Sequence, residues 1–209
     1  MKRVSIIIGF LSVAGITNWM FIPMGITEMI SIWNLHGINF NNQNFTAMTQ
    51  DTTFNMELTR VIDTPLEQVW NAWSDENLVK RWWGPTGFTA PVAKMDFREG
   101  GRSLVCMRSP DGVEIYNTWT YKTIEAHARI EYTLNFTDSK GNILEPSTIG
   151  LPPSIPVAVP HVVTFKKVGR DQTEIVVVEH GYQSADIVQM SKIGMEQCLD
   201  KMADALKNK

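Results

Sequence analysis

The 209-residue sequence is short of cysteine, of excess basic charge and of every compact catalytic signature. Its 2 cysteines, Cys106 and Cys198, stand far apart without C-x-x-C spacing, which excludes a disulfide-stapled scaffold. Each reads as a small buried hydrophobe in a reducing compartment rather than as half of a zinc or redox pair. Lys and Arg number 19 against 22 Asp and Glu, so no electrostatic footprint for a phosphate backbone exists and no nucleic-acid partner is expected. The 4 histidines, His36, His127, His161 and His180, lack the i, i+4 spacing of a metal pair and read as surface or packing residues. Neither G-x-S-x-G, a P-loop nor a dinucleotide fingerprint occurs, so no cofactor is expected. With 44% hydrophobic and 20% charged residues, what remains is one ordinary globular domain plus an appendage.

The appendage shows in the charge distribution. Between Val4 and Gln50 the sole charged side chain is Glu28. Lys2 and Arg3 precede the apolar run from Val4 to Gly15, as in a signal peptide, but no A-x-A cleavage site follows. The uncharged stretch over residues 4–27 is long enough to cross a bilayer, though Gly9, Gly15, Pro23 and Gly25 weaken it as a helix. Three readings of residues 1–47 stand: a start read too far upstream, since Met48 directly precedes an organised domain; a membrane anchor; or a cleaved signal. Asn44-Phe45-Thr46 fits a glycosylation sequon, a pattern short enough to arise by chance.

Residues 48–209 read as strand, two short helices, six strands and one long helix. Phe54 to Val61 is rich in β-formers and ends at Asp63-Thr64-Pro65. Thr64 is a natural N-cap with Pro65 at the first helical position, and Leu66, Val69, Trp70 and Trp73 make an apolar stripe. A second short helix over Leu78 to Arg81 stops at Gly84-Pro85. Strong turn signals at Arg98-Glu99-Gly100-Gly101 and Ser109-Pro110-Asp111-Gly112 bracket a strand from Arg102 to Arg108, and Tyr116 to Ile124 follows as another. Ile130, Tyr132, Leu134 and Phe136 alternate with Arg129, Glu131, Thr133 and Asn135, the pattern of a strand with one face buried. Residues 143–160 hold Pro146, Pro152, Pro153, Pro156 and Pro160, which predicts a rigid, extended loop. His161 to Lys167 and Thr173 to His180 form a hairpin, and Ala185 to Lys207 is a helix with Ile187, Met190, Gly194, Cys198, Met202 and Ala205 along its apolar face. The expected fold is α+β: a curved antiparallel sheet of six or seven strands packed on the final helix.

The runs Arg60 to Trp70, Arg81-Trp82-Trp83-Gly84-Pro85, Arg98 to Gly101 and Ser109 to Gly112 resemble the family named after the C-terminal domain of the 90 kDa heat-shock protein ATPase activator. That family belongs to the START-like (SRPBCC) superfamily with its helix-grip fold, and the resemblance covers nearly all of residues 54–207. Two departures stand out. The final helix has Gly194-Met195 where relatives carry Gly-Trp, and Trp119 replaces a strand glycine, which together imply a reshaped cavity.

The resemblance implies a sheet gripping the terminal helix around an apolar cavity, and strand parity nominates its lining. Ser103, Val105 and Met107 share one face, followed by Trp119 and Tyr121, then Tyr132, Leu134 and Phe136, then Val163 and Phe165, then Ile175, Val177 and Glu179. Ile187, Met190 and Gly194 face them from the helix. Glu179, Tyr121, Tyr132 and Ser103 are the polar groups such a pocket needs. Gly194 either leaves room for an occupant or allows close packing on the sheet. His161 and Glu179, on adjacent strands, share a face and would permit acid or base chemistry.

A small apolar or amphipathic molecule is therefore the first expected partner, with the loop at 143–160 as a lid. The resemblance also implies a co-chaperone-like domain with a chaperone partner. The full activator has a separate N-terminal domain that residues 1–47 do not supply. It implies, as a third class, a cyclase- or hydrolase-type enzyme on a hydrophobic substrate. A homodimer is left open. The cytoplasm is the expected compartment, with membrane contact through residues 4–27 as the alternative.

Overall fold

The alternation in the second half of the chain builds a seven-stranded, wholly antiparallel sheet. A computed structural model describes residues 53–207; the readings of residues 1–47, including the anchor over 4–27 and the sequon, lie outside the described residues. The strands are β1 (Phe54–Ile62), β2 (Thr89–Lys94), β3 (Arg102–Arg108), β4 (Glu114–Glu125), β5 (Arg129–Thr137), β6 (Ala158–Lys167) and β7 (Thr173–Tyr182), in the order β1-β7-β6-β5-β4-β3-β2. All but β1 follow in chain order as a meander, and β1 closes the far edge by pairing with β7.

Two helices fill the connection from β1 to β2: α1 (Leu66–Ser74) and α2 (Glu76–Trp82). α1 begins one residue later than the capping pattern predicts, because Pro65 takes the N-cap position and no side chain caps it. Thr64 is drawn inward instead, its carbonyl accepting the Thr173 hydroxyl at 2.8 Å. Asp75 caps α2 through hydrogen bonds from the amides of Asn77 (2.9 Å) and Leu78 (3.0 Å), satisfying first-turn N–H groups that have no partner within the helix. The terminal helix α3 (Ala185–Lys207) packs on β1, β7, α1 and α2. The Pro-rich connection carries one 3-10 turn, Pro146–Ile149.

The core between sheet and helices is aromatic. Trp73 and Trp82 lie with ring centres 4.8 Å apart, Trp82 and Trp83 at 5.7 Å, Trp83 and Trp119 at 4.7 Å, and Trp119 and Tyr132 at 5.3 Å. These are edge-on and tilted contacts of the kind that the ring quadrupole favours. The Trp82 indole N–H donates to the Ala72 carbonyl at 2.7 Å, so α1 and α2 are tied through their largest side chain. The final turns of α3 complete the packing with Leu199, Met202 and Leu206.

Trp119 is wholly buried with rings on three sides. Truncating it leaves a void that its neighbours cannot fill, so Trp119→Ala is expected to cost about 3–5 kcal/mol of unfolding free energy. Urea denaturation measures this; a loss below about 2 kcal/mol would mean that the ring already borders empty space.

Candidate functional site

A cavity of about 350 Å³ opens between the concave face of the sheet and the first half of α3. Small-molecule sites span about 300–1,000 Å³, so the volume is that of a compact ligand. Its walls come from four places. β3, β4 and β5 contribute Met107, Ile115, Asn117, Leu134 and Phe136; α2 and the loop after it contribute Trp83, Gly84, Pro85 and Phe88. The Pro-rich connection brings Leu151 and Ile155, while β6, β7 and α3 bring Val159, His161, Glu179, Tyr182, Ile187, Met190, Ser191, Gly194, Met195 and Cys198.

Seven of the nominated residues, Met107, Leu134, Phe136, Glu179, Ile187, Met190 and Gly194, meet on this wall. Nine others stand in the filled core on the same face: Ser103, Val105, Trp119, Tyr121, Tyr132, Val163, Phe165, Ile175 and Val177. Parity placed them on the concave face, where other side chains already cover them: Trp73 and Trp83 meet Trp119, Phe97 meets Tyr121, and Trp70 meets Phe165. Ser103 and Tyr121 satisfy each other within that core, their hydroxyls 3.0 Å apart, with the Asp96 amide donating to Ser103 at 3.0 Å. From the connection over 143–160, expected as a lid, Leu151 and Ile155 reach the wall; sequence patterning did not mark the 84–88 loop, which carries no periodicity, or Asn117, a polar residue at the parity of Trp119.

Gly194 decides between its two readings. A Cβ built on it meets no heavy atom within 4 Å, so close packing is not why the position is glycine. Mid-helix glycine costs about 1 kcal/mol relative to alanine, and what that exchange leaves is volume on the cavity wall.

One end of the cavity is polar. Glu179 of β7 is buried, and its Oε1 lies 3.2 Å from Nε2 of His161 on the neighbouring strand. The hydroxyls of Tyr182 (2.5 Å) and Ser191 both donate to Oε2. Nδ1 of His161 sits 2.8 Å from the Val159 carbonyl, which only accepts, so Nδ1 carries a hydrogen. Burial pushes the Glu179 carboxyl up, but the charge and hydrogen bond of His161 and the hydroxyls of Ser191 and Tyr182 outweigh it and hold the carboxyl below its ordinary value. The His161 ring stacks on Tyr132 at 4.7 Å, which continues the chain of rings from the core.

The cluster is arranged to hold charge in place. Ser191 donates to Glu179 rather than to His161, so the three do not form a nucleophile, base and orienting acid in sequence. Cys198 is no thiolate, because burial pushes its thiol up to about 12. Among the described residues no three His, Cys, Asp or Glu side chains gather as a metal site, and no helix is long and apolar enough to cross a membrane.

The mouth is fixed on one side. Lys201 donates to the carbonyls of Gly84 (2.9 Å) and Phe88 (2.8 Å), and the Thr86 amide donates to Gln197 at 3.0 Å, pinning the 84–88 loop to α3. Met190, 46% exposed, stands at the rim.

A meander sheet closed over a long terminal helix, with two helices after the first strand and a cavity between sheet and helix, defines a START-like helix-grip domain. The chain belongs to the family of Activator of Hsp90 ATPase homolog 1-like proteins, whose sequence profile matches residues 63–207. Solved structures agree in fold. A protein of Arthrobacter aurescens is 21% identical with a TM-score of 0.62, over 74% of this chain and 87% of that one. A protein of Chromobacterium violaceum is 22% identical with a TM-score of 0.61, over 74% of this chain and 98% of that one. The AHSA1 protein of Silicibacter pomeroyi is 15% identical with a TM-score of 0.60, over 74% and 98% respectively. No curated protein matches the sequence.

Because the Glu179 carboxyl is held below its ordinary 4.5, its ionised form stabilises the fold above that pH, and this contribution is lost as the pH falls through the depressed value. The gap in unfolding free energy between the parent and Glu179→Gln should therefore be widest near neutrality and close in acid. Urea titrations at about pH 7 and about pH 3 measure it; an equal gap at both would show that the carboxylate is not linked to folding.

Proposed function

We propose that the domain is a binding module for a small apolar or amphipathic molecule held between the sheet and the first half of α3. The observation that carries this reading is the vacant space over Gly194, a mid-helix glycine facing a 350 Å³ cavity with no neighbour to accommodate. A core selected for stability alone fills such a gap, since each lost contact and each unburied methylene weakens it. The wall supports the same reading: aliphatic, aromatic and methionine side chains surround a few converging polar groups, the composition of a small-molecule site. Methionines at 107, 190 and 195 add adjustable surface that moulds to an occupant. Leu151 and Ile155 make the Pro-rich connection a cover over this space. The family relation also accommodates a chaperone-related partner, which would meet the outer surface of the same domain.

N-phenyl-1-naphthylamine, a neutral fluorophore that brightens in apolar surroundings, tests the proposal on the full-length chain. It should bind the parent, and Gly194→Leu should abolish binding by filling the cavity while leaving the unfolding midpoint unchanged or higher, because leucine is also the better helix former. Gly194→Ala should raise stability by about 0.5–1 kcal/mol and weaken binding partially. Equal fluorophore binding by the parent and Gly194→Leu would remove the cavity as the site.

A further inference from the structure

At the polar end of the cavity the protons are already committed. A hydroxyl carries one hydrogen and two lone pairs. The hydrogens of Tyr182 and Ser191 both go to Glu179 Oε2, while His161 turns Nδ1 to the Val159 carbonyl and Nε2 to Glu179 Oε1. Farther along the wall the Trp83 indole N–H donates to Asn117 Oδ1 at 3.2 Å, and the amide nitrogen of Asn117 lies beneath the surface, out of an occupant's reach. The strong side-chain donors of the wall are therefore spent or covered. What remains for an occupant is acceptor capacity, and Ser191 holds it. Glu179, His161 and Tyr182 are buried, whereas Ser191 is half-buried and borders the cavity one helical turn before the vacant space over Gly194. Its oxygen has two lone pairs, so one stays free even where the Tyr182 hydroxyl approaches it at 3.0 Å.

The polar group of an occupant is restricted accordingly. A ketone, ester or ether only accepts, and would leave water without meeting a free donor. An amide would pair its N–H but strand its carbonyl. An anion would find no Lys or Arg among the lining residues. An ammonium would enter an apolar wall whose one carboxylate already has His161 at one oxygen and two hydroxyl hydrogens at the other. We infer that Ser191 Oγ is the specificity-determining acceptor of the cavity, and that the ligand is an uncharged hydrophobic alcohol or phenol whose O–H donates to it. This rests on the binding reading above and adds the chemical class.

Three probes built on one carbon skeleton test the inference on the full-length chain by equilibrium dialysis: 1-(2-naphthyl)ethanol, 2-acetylnaphthalene and 1-(2-naphthyl)ethylammonium, which present an O–H, a carbonyl and a cation in the same place. The alcohol should bind roughly five- to tenfold tighter than the ketone, with the ammonium weakest. Ser191→Ala removes the acceptor and suits a helix, and it should bring the alcohol down to the ketone's affinity while the ketone keeps its own. Ser191→Thr, which keeps a hydroxyl at the position, should retain the alcohol's advantage. Equal affinity of alcohol and ketone in the parent overturns the inference and leaves the binding module standing, as does the ammonium binding tightest. An alcohol preference that survives Ser191→Ala also overturns it, and so does loss of that preference in Ser191→Thr. Absence of binding by all three removes the binding reading and this inference with it.

Discussion

A carboxylate in an apolar interior must collect its donors or drag water in after it, and Glu179 collects them from three elements at once. β6 supplies His161, the last residue of β7 supplies Tyr182, and the second turn of α3 supplies Ser191. The crossing of α3 over the sheet is thus anchored at its N-terminal end by hydrogen bonds, while Leu199, Met202 and Leu206 anchor the other end by burial. Between two fixed ends the helix need not touch the strands everywhere. The cavity is the span it leaves uncovered, walled at its inner limit by Trp83 and at its polar limit by Glu179.

The chain of rings gives this arrangement stiffness. From Trp73 through Trp82, Trp83, Trp119 and Tyr132 to His161, each ring contacts the next, so the tryptophan core and the charge cluster share one continuous wall. Trp119 is wholly buried at the centre of this wall. Its bulk fills the middle of the concave face and confines free space to the end near Glu179 and Gly194.

Strand and helix order was legible because period-2 alternation and capping signals are local. The concave face was legible for the same reason: Ser103, Val105, Trp119, Tyr121, Tyr132 and Leu134 are all buried on it. Depth was not legible. Parity says which side of the sheet a residue faces, whereas the height at which α3 departs from it depends on the summed bulk of side chains from every element. Phe165 and Leu134 share one face, yet Phe165 meets Trp70 and Trp73 while Leu134 meets the cavity. Leu151, Ile155 and the 84–88 loop carry no periodic signal, and only the folded path of the chain brings them to the wall. Asn117 had the right parity, but a polar residue on an apolar face invites the reading of an exception.

The two sides of the mouth are held with unequal firmness. At residues 84–88 a lysine ammonium clasps two carbonyls and a glutamine holds an amide, all from one rigid helix. Across from it, the connection bearing Leu151 and Ile155 is tied to its surroundings by the Gln183 amide donating to the Ser154 carbonyl at 3.3 Å and by Asn135 donating to the Val157 carbonyl at 2.8 Å. The 146–157 connection is thus the less firmly tied edge of the mouth, and local opening of the cavity wall starts there rather than at the 84–88 loop.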